Sequence, residues 1–201
     1  MSVALQPAAE IPLRCGAHAV TLRASLRAAV ALEALPGGIA SLWDGVARQT
    51  LTALHAVIRA AATDKADAES LLTHAAHLPL VQFLGPAQAA CLALLSVVLD
   101  TAQGEASAST GPRIPLRQFL TDLFSLATSW LHWPPSEVWN ASLAEIAAAL
   151  DAQSDRELRL AGITPETRAD KAEQRQANIA AGLDPDFDLA AFEALQARLG
   201  V

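Results

Sequence analysis

The sequence has no tyrosine, a single methionine and only 4% aromatic residues, which excludes a core built from large rings. Hydrophobic residues nevertheless make up 52% of its 201 positions, so an apolar core has to be built mainly from leucine, alanine and valine. Alanine and leucine lose little side-chain freedom in a helix. The composition therefore predicts a mostly α-helical protein.

Charge is also scarce, because charged residues make up 17% of the chain and the formal net charge is −7. Binding to a phosphate backbone needs clustered lysine and arginine, so we expect no nucleic-acid partner. A sparsely charged, alanine-rich surface is more stable when other proteins cover it. The charge balance therefore favours a protein-binding function.

Only two cysteines occur, Cys15 and Cys91, and two cysteines in a chain of this length make no disulfide framework. The first residues lack the basic-then-apolar layout of a signal peptide, so we expect a reduced, cytoplasmic setting. The longest apolar run, Ala87 to Leu99, is shorter than the roughly 20 residues that span a bilayer. We therefore interpret it as a buried core helix and expect no membrane partner.

A β-hairpin is predicted near the beginning, where IPLRCGAHAVTLR alternates apolar and other side chains on both sides of Gly16. A lone hairpin is marginal in water, and the helix predicted after Ser25 would support it. That helix ends at Pro36-Gly37-Gly38. Four more helices are predicted from apolar spacing, with breaks around Pro79 and at Gly85-Pro86: GIASLWDGVARQ, TLTALHAVIRAAA, DAESLLTHAAH and PAQAACLALLSVVLD.

The second half begins with a polar, Gly- and Pro-containing stretch that is typical of a linker. A helix that ends at Pro134-Pro135, a one-turn helix and a helix capped by Ser142 and Glu145 follow it. Trp133 and Trp139 flank the corner that Pro134-Pro135 makes between these helices. They form either a small core or contacts with a partner. The predicted segments are a hairpin-and-helix domain at 1–100, a linker at 101–114, a Trp/Pro helical module at 115–153 and an extended polar tail at 154–201.

The tail ends in an amphipathic helix that carries Leu189, Phe192 and Leu195 on one face. Such a helix either docks on its own chain or enters the groove of a partner. We therefore predict that partner-binding residues include these three together with the two corner tryptophans.

Catalytic patterns are weak. His74 and His77 are three residues apart on one helical face, which leaves a metal-dependent helical enzyme as one hypothesis. No HExxH or ExxH pattern accompanies them. Burial would suppress the thiolate of Cys91. We therefore predict no catalytic residue, no metal and no cofactor.

The stretch LRCGAHAVTLRASLRAAVALEALPGGIASLW resembles the tail assembly chaperones of long-tailed phages and of phage-derived gene transfer agents, over about residues 10–100. The shared features are a short strand pair, a helix of the L-x-x-L-E type that includes Leu32-Glu33, a break of small residues and an apolar helix.

The stretch LHWPPSEVWNASLAEIAAAL is similar to a second module of this family, whose pattern is L-G-W-x-P-x-x-F-W-x-A-T-P-x-E-L. The matching residues are Leu131, Trp133, Pro135, Trp139, Ala141 and Glu145. The departures are His132 for glycine, Val138 for phenylalanine, Ser142 for threonine, Leu143 for proline and Ile146 for leucine.

The resemblance implies a chaperone without catalysis or cofactor. It would bind the long tape measure protein, recruit subunits of the tail tube and leave as the tube polymerises. It would therefore act in the bacterial cytoplasm and be missing from the mature particle. Self-association is a further option. The alternative is a structural neck or tail component of the virion or gene transfer agent particle.

Overall fold

The structure is a computed structural model that describes residues 10–106 and 114–162, with a few residues between 175 and 182. Within these residues the chain forms a hairpin followed by helices, which confirms the predicted mostly α fold with an N-terminal β-hairpin packed on helices. The elements are β1 (Glu10–Cys15), β2 (His18–Arg23), α1 (Leu26–Glu33), α2 (Gly38–Ala47), α3 (Leu51–Ala61), α4 (Lys65–Ala75), α5 (Leu80–Ala106), α6 (Leu116–Ser129), α7 (Pro135–Asn140) and α8 (Leu143–Leu160).

The hairpin is antiparallel, with Leu13 opposite Val20 and Cys15 opposite His18. Its buried side chains face the helices, where β1 packs on α5 and β2 on α4. Gly16 makes the turn with a φ of 60°, and a Cβ at this position would lie 2.9 Å from Nε2 of His74. Both the left-handed backbone and the close imidazole therefore favour glycine.

Helix α5 continues through Pro86, where the sequence pattern predicted a break. Proline removes the amide that would bond the carbonyl of Gln82, at a cost of about 3 kcal/mol in a helix interior. The helix persists because one continuous stripe of side chains is buried on both sides of the proline. The buried residues are Phe83, Ala87, Ala90, Cys91, Leu94, Leu95 and Val98.

By length and composition alone, Leu80–Thr101 within α5 could cross a membrane. Here the helix packs on β1, α2 and α3, with its buried stripe in the core. It also runs to Ala106, so the first six residues of the predicted linker, 101–106, are helical. Once a helix has formed, each added residue gains a hydrogen bond without a new nucleation cost, which allows this extension.

The chain divides into two units, Met1–Gln153 and Ser154–Val201. Within the first unit α6 and α7 pack on α1, so the module predicted at 115–153 shares its core with the hairpin-bearing half. Ala28 and Ala29 of α1 are fully buried, and side chains this small allow helices to approach closely. Of the predicted tail at 154–201, the terminal helix with Leu189, Phe192 and Leu195 lies outside the described residues.

Candidate protein-contact surface

Helix α6 buries one face and exposes apolar side chains on another. Leu120, Leu123 and Ala127 are buried. Leu126 and Trp130, four residues apart, are 43% and 37% exposed. Residues at this spacing are neighbours on a helix surface. We call Leu126 and Trp130 the α6 contact surface, because large apolar side chains exposed side by side are typical of protein-binding sites.

The end of α6 turns sharply at His132, whose φ of 56° lies in the left-handed region. This conformation is uncommon for residues other than glycine. It folds the chain back so that the amide of Trp133 donates a hydrogen bond to the carbonyl of Ala127, at 3.1 Å. Pro134 then precedes α7, and Pro135 is its first residue, where a missing amide costs nothing.

The corner tryptophans are only partly exposed. Trp133 and Trp139 are half-buried and pack against the core. The ring of Trp139 lies on Phe124, with centroids 4.7 Å apart and planes tilted by 31°. The two indoles therefore hold α6, α7 and the core together, and Trp130 is the most exposed of the three tryptophans in this region.

The predicted capping box at the start of α8 is present. The amide of Glu145 donates to Oγ of Ser142 at 3.2 Å, and the amide of Ser142 donates to Oε2 of Glu145 at 2.8 Å. The same carboxylate accepts hydrogen bonds from Nη2 of Arg23, at 2.8 and 3.0 Å. A sequence pattern predicted the cap, but not the arginine, which belongs to β2.

These contacts set the charge of Glu145. Partial burial alone would raise the pKa of its carboxyl group, but the hydrogen bonds from Ser142 and Arg23 outweigh that effect and lower the pKa below its usual value. Glu145 is therefore a carboxylate at neutral pH, the state that can accept all three of these hydrogen bonds.

A short backbone pairing lies beside this ion pair. Ser25, which caps α1, and Ser142, which caps α8, form an isolated antiparallel bridge. The amide of Leu26 donates to the carbonyl of Ala141 at 2.9 Å, and that of Leu143 to the carbonyl of Ala24 at 3.2 Å. The starts of two helices far apart in sequence are thus fixed to each other.

A second pair of exposed apolar side chains lies at the start of α5, where Leu80 is 54% exposed and Val81 is 81% exposed. These side chains precede the buried stripe of the helix and carry no charge. They add apolar area to the surface of the first unit.

The histidines singled out by the sequence are not brought together. His77 is exposed, whereas His74 lies against His18 of the hairpin, with ring centroids 4.5 Å apart. Nδ1 of His18 is 2.9 Å from Oγ of Ser70. In the part of the chain that the structure describes, no group of three His, Cys, Asp or Glu is placed to hold a metal ion.

Both cysteines are buried free thiols among the described residues. Burial raises the pKa of the Cys91 thiol to about 12, so it is a thiol and not a thiolate at neutral pH. Its Sγ faces the carbonyl of Leu54 at 4.0 Å. This environment fits a core side chain.

Sequence patterns did not single out Leu126 or Trp130 as contact residues, and the structure exposes both. The helical period alone does not separate Leu126 from the core, because Leu126 follows the buried Leu123 by three residues and precedes the buried Ala127 by one. Its exposure is decided by how α6 packs. Comparison of the chain with protein-family models, curated proteins and solved structures gives no match.

Proposed function

We propose that this chain is a tail assembly chaperone of the kind made by long-tailed phages and gene transfer agents. It binds the tape measure protein in the bacterial cytoplasm and recruits subunits of the tail tube, without catalysing a reaction. The partner surface on the described residues is apolar and helical, and includes the α6 contact surface.

The observation that carries the proposal is the backbone of the corner. The family pattern has glycine where this chain has His132, and His132 adopts the left-handed conformation that glycine favours. The pattern's Glu145 accepts the amide of the residue at its threonine position, here Ser142. These two features are the ones that a glycine and a glutamate at those positions of the pattern would favour, and they support the resemblance although the residue type differs at position 132.

The exposed apolar side chains support a binding role. All four of these exposed side chains are uncharged. Leu80 and Val81 belong to α5, Leu126 belongs to α6 and Trp130 directly follows α6, and both helices bury another face. A partner that covers them would remove apolar area from water, which is favourable by about 25 cal/mol per Å². A long helical partner offers the matching apolar stripes.

The test is co-expression of the tagged full-length chain with the tape measure protein and the tube protein of the same gene cluster. We expect both partners to copurify with the chain. The double variant Leu126→Ser/Trp130→Ser should recover at least tenfold less tape measure protein, since each lost apolar anchor weakens binding by about 1 kcal/mol or more. Ala148→Ser, an exposed change on α8, is the matched control and should recover the wild-type amount.

Circular dichroism should show the same helix content for all three proteins, because the substituted side chains are exposed. Absence of both partners from the wild-type sample at micromolar concentration would contradict the proposed function.

A further inference from the structure

A groove of about 530 Å³ lies where α2, α5 and α6 meet, away from the α6 contact surface. Its apolar walls come from Ala40 and Trp43 of α2, Leu99 of α5 and Leu116 of α6. Trp43, Leu99 and Leu116 are each only partly buried, so their side chains still present apolar area to an occupant. The groove is open to solvent and not an enclosed cavity, which suits a segment of another protein better than an enclosed small molecule.

The charges around the groove have one sign. Glu33 and Asp44 line it, and no lysine, arginine or histidine among the described residues does. Oε2 of Glu33 accepts the amide of Ile39 at 3.1 Å, so this carboxylate is held in place. The side chain of Asp44 has no hydrogen-bond or ion-pair partner in the described part of the chain, and its charge is available to an occupant.

Trp43 is the anchor position of the groove. It is one residue before Asp44 and lines the groove together with Leu99 of α5 and Leu116 of α6. Tryptophan is enriched among residues that dominate binding energy, because it combines large apolar area with few rotatable bonds. An apolar side chain of a partner helix that enters the groove would contact the indole and place the next turn of that helix beside the carboxylates.

We infer that this groove binds an amphipathic helical segment of the partner whose apolar stripe is flanked by lysine or arginine. This inference rests on the proposed function, because the helical segment that we assign to the groove is a segment of the tape measure protein. The apolar walls select the stripe, and Glu33 and Asp44 select the flanking cations. Exposed charge pairs contribute more to selectivity and association rate than to affinity, so the flanks set which segment binds.

The test uses two synthetic helical peptides of about five turns (~18 residues) with one leucine stripe, flanked in one by lysine and in the other by glutamate. Fluorescence anisotropy of the labelled peptides with the full-length chain measures binding. We expect the lysine-flanked peptide to bind at least tenfold more tightly, with a preference that falls as salt is raised. Trp43→Ala should weaken the binding of this peptide at least tenfold.

Because Trp43→Ala could also disturb packing, a second variant isolates the charges. Glu33→Gln/Asp44→Asn keeps the side-chain shapes and an acceptor for the Ile39 amide, and should abolish the preference between the peptides. Asp67→Asn/Glu137→Gln removes two exposed carboxylates elsewhere and should preserve it. Equal binding of the two peptides by the wild-type chain would overturn the inference.

Three further outcomes separate this inference from the proposed function. If the wild-type chain and the groove variants capture the full-length tape measure protein equally well, the groove assignment is wrong and the proposed function stands. If the groove variants change only the oligomeric state of the chain, the groove is an interface between copies and the inference is also wrong. If the wild-type chain captures no tape measure protein, the proposed function itself fails.

Discussion

Arg23 and Glu145 are 122 residues apart in sequence, yet Nη2 of Arg23 lies 2.8 and 3.0 Å from the two carboxylate oxygens of Glu145. Glu145 also caps α8 through the amide of Ser142, which is 2% exposed. One carboxylate therefore joins the end of the hairpin to the start of α8. The first helices and the tryptophan corner also share one hydrophobic core.

We predict that Glu145→Ala lowers the free energy of unfolding by about 1 to 2 kcal/mol, because it leaves the buried amide of Ser142 and the guanidinium of Arg23 without this partner. Urea unfolding followed by circular dichroism measures the change. Glu137→Ala removes an exposed carboxylate from α7 and should change stability by no more than about 0.5 kcal/mol. Equal effects of the two substitutions would contradict the role of Glu145.

The contribution of Glu145 to the stability of the folded chain should decrease as pH falls. Partial burial opposes ionisation, but the hydrogen bonds from Ser142 and Arg23 leave the folded-state pKa below the ordinary 4.5. A lowered folded-state pKa stabilises the folded chain above the unfolded-state pKa, and this contribution is lost as pH falls through the folded-state pKa.

We therefore expect the stability difference between wild type and Glu145→Gln to be constant from about pH 7 to about pH 5.5 and to shrink below about pH 4.5. Urea titrations across this range measure it. A difference that grows on acidification would have the wrong sign for the observed hydrogen bonds.

His132→Gly should raise the free energy of unfolding by about 0.5 to 1 kcal/mol. A left-handed residue other than glycine costs about 1 to 2 kcal/mol, and the greater freedom of glycine in the unfolded chain offsets part of the gain. The side chain of His132 is exposed, so little packing is lost. Thermal unfolding measures the shift.

Ala148→Gly is the control for that substitution, because residue 148 is exposed in the right-handed backbone of α8. Glycine there should lower stability by about 1 kcal/mol. Changes of the same sign at positions 132 and 148 would show that the corner does not adopt the left-handed turn.

Pro86→Ala should stabilise the chain by about 1 to 2 kcal/mol, because alanine restores the amide that bonds the carbonyl of Gln82 within α5. The proline is exposed, so its removal leaves no cavity. Pro79→Ala, before the helix begins, restores no helical bond and should leave stability unchanged or lower it slightly. Chemical unfolding of both variants distinguishes a continuous α5 from two separate helices.

Both cysteines should resist alkylation in the folded protein. Cys15 is 4% and Cys91 0% exposed, and burial raises the pKa of Cys91 to about 12. Iodoacetamide at about pH 8 should leave the native mass unchanged and add two groups after denaturation in guanidinium. Rapid native modification of Cys91 would contradict its place in the α5 stripe.

Local patterns predicted the parts of the fold that depend on neighbours in sequence. Period-two alternation around Gly16 located the hairpin, and the spacing of Ser142 and Glu145 located a helix cap. Such features are decided within a few residues, so a single sequence contains them.

Features decided by tertiary packing were missed. Pro86 was predicted to break a helix, because the intrinsic cost of proline is visible in the sequence while the buried stripe that offsets it is not. The pairing of Arg23 with Glu145 depends on how α8 docks, and nothing in either local sequence specifies the partner. The groove beside Trp43 likewise exists only where three helices meet.

A chaperone of the proposed kind would be present during assembly and would leave the finished structure, and quantitative mass spectrometry can follow it through both stages. The samples are assembly intermediates that contain the tape measure protein and mature particles from the same culture. We predict that the chain is present in the intermediates and missing from the particles. A fixed number of copies in each mature particle would identify a structural neck or tail component, and absence from both samples would contradict any role in tail assembly.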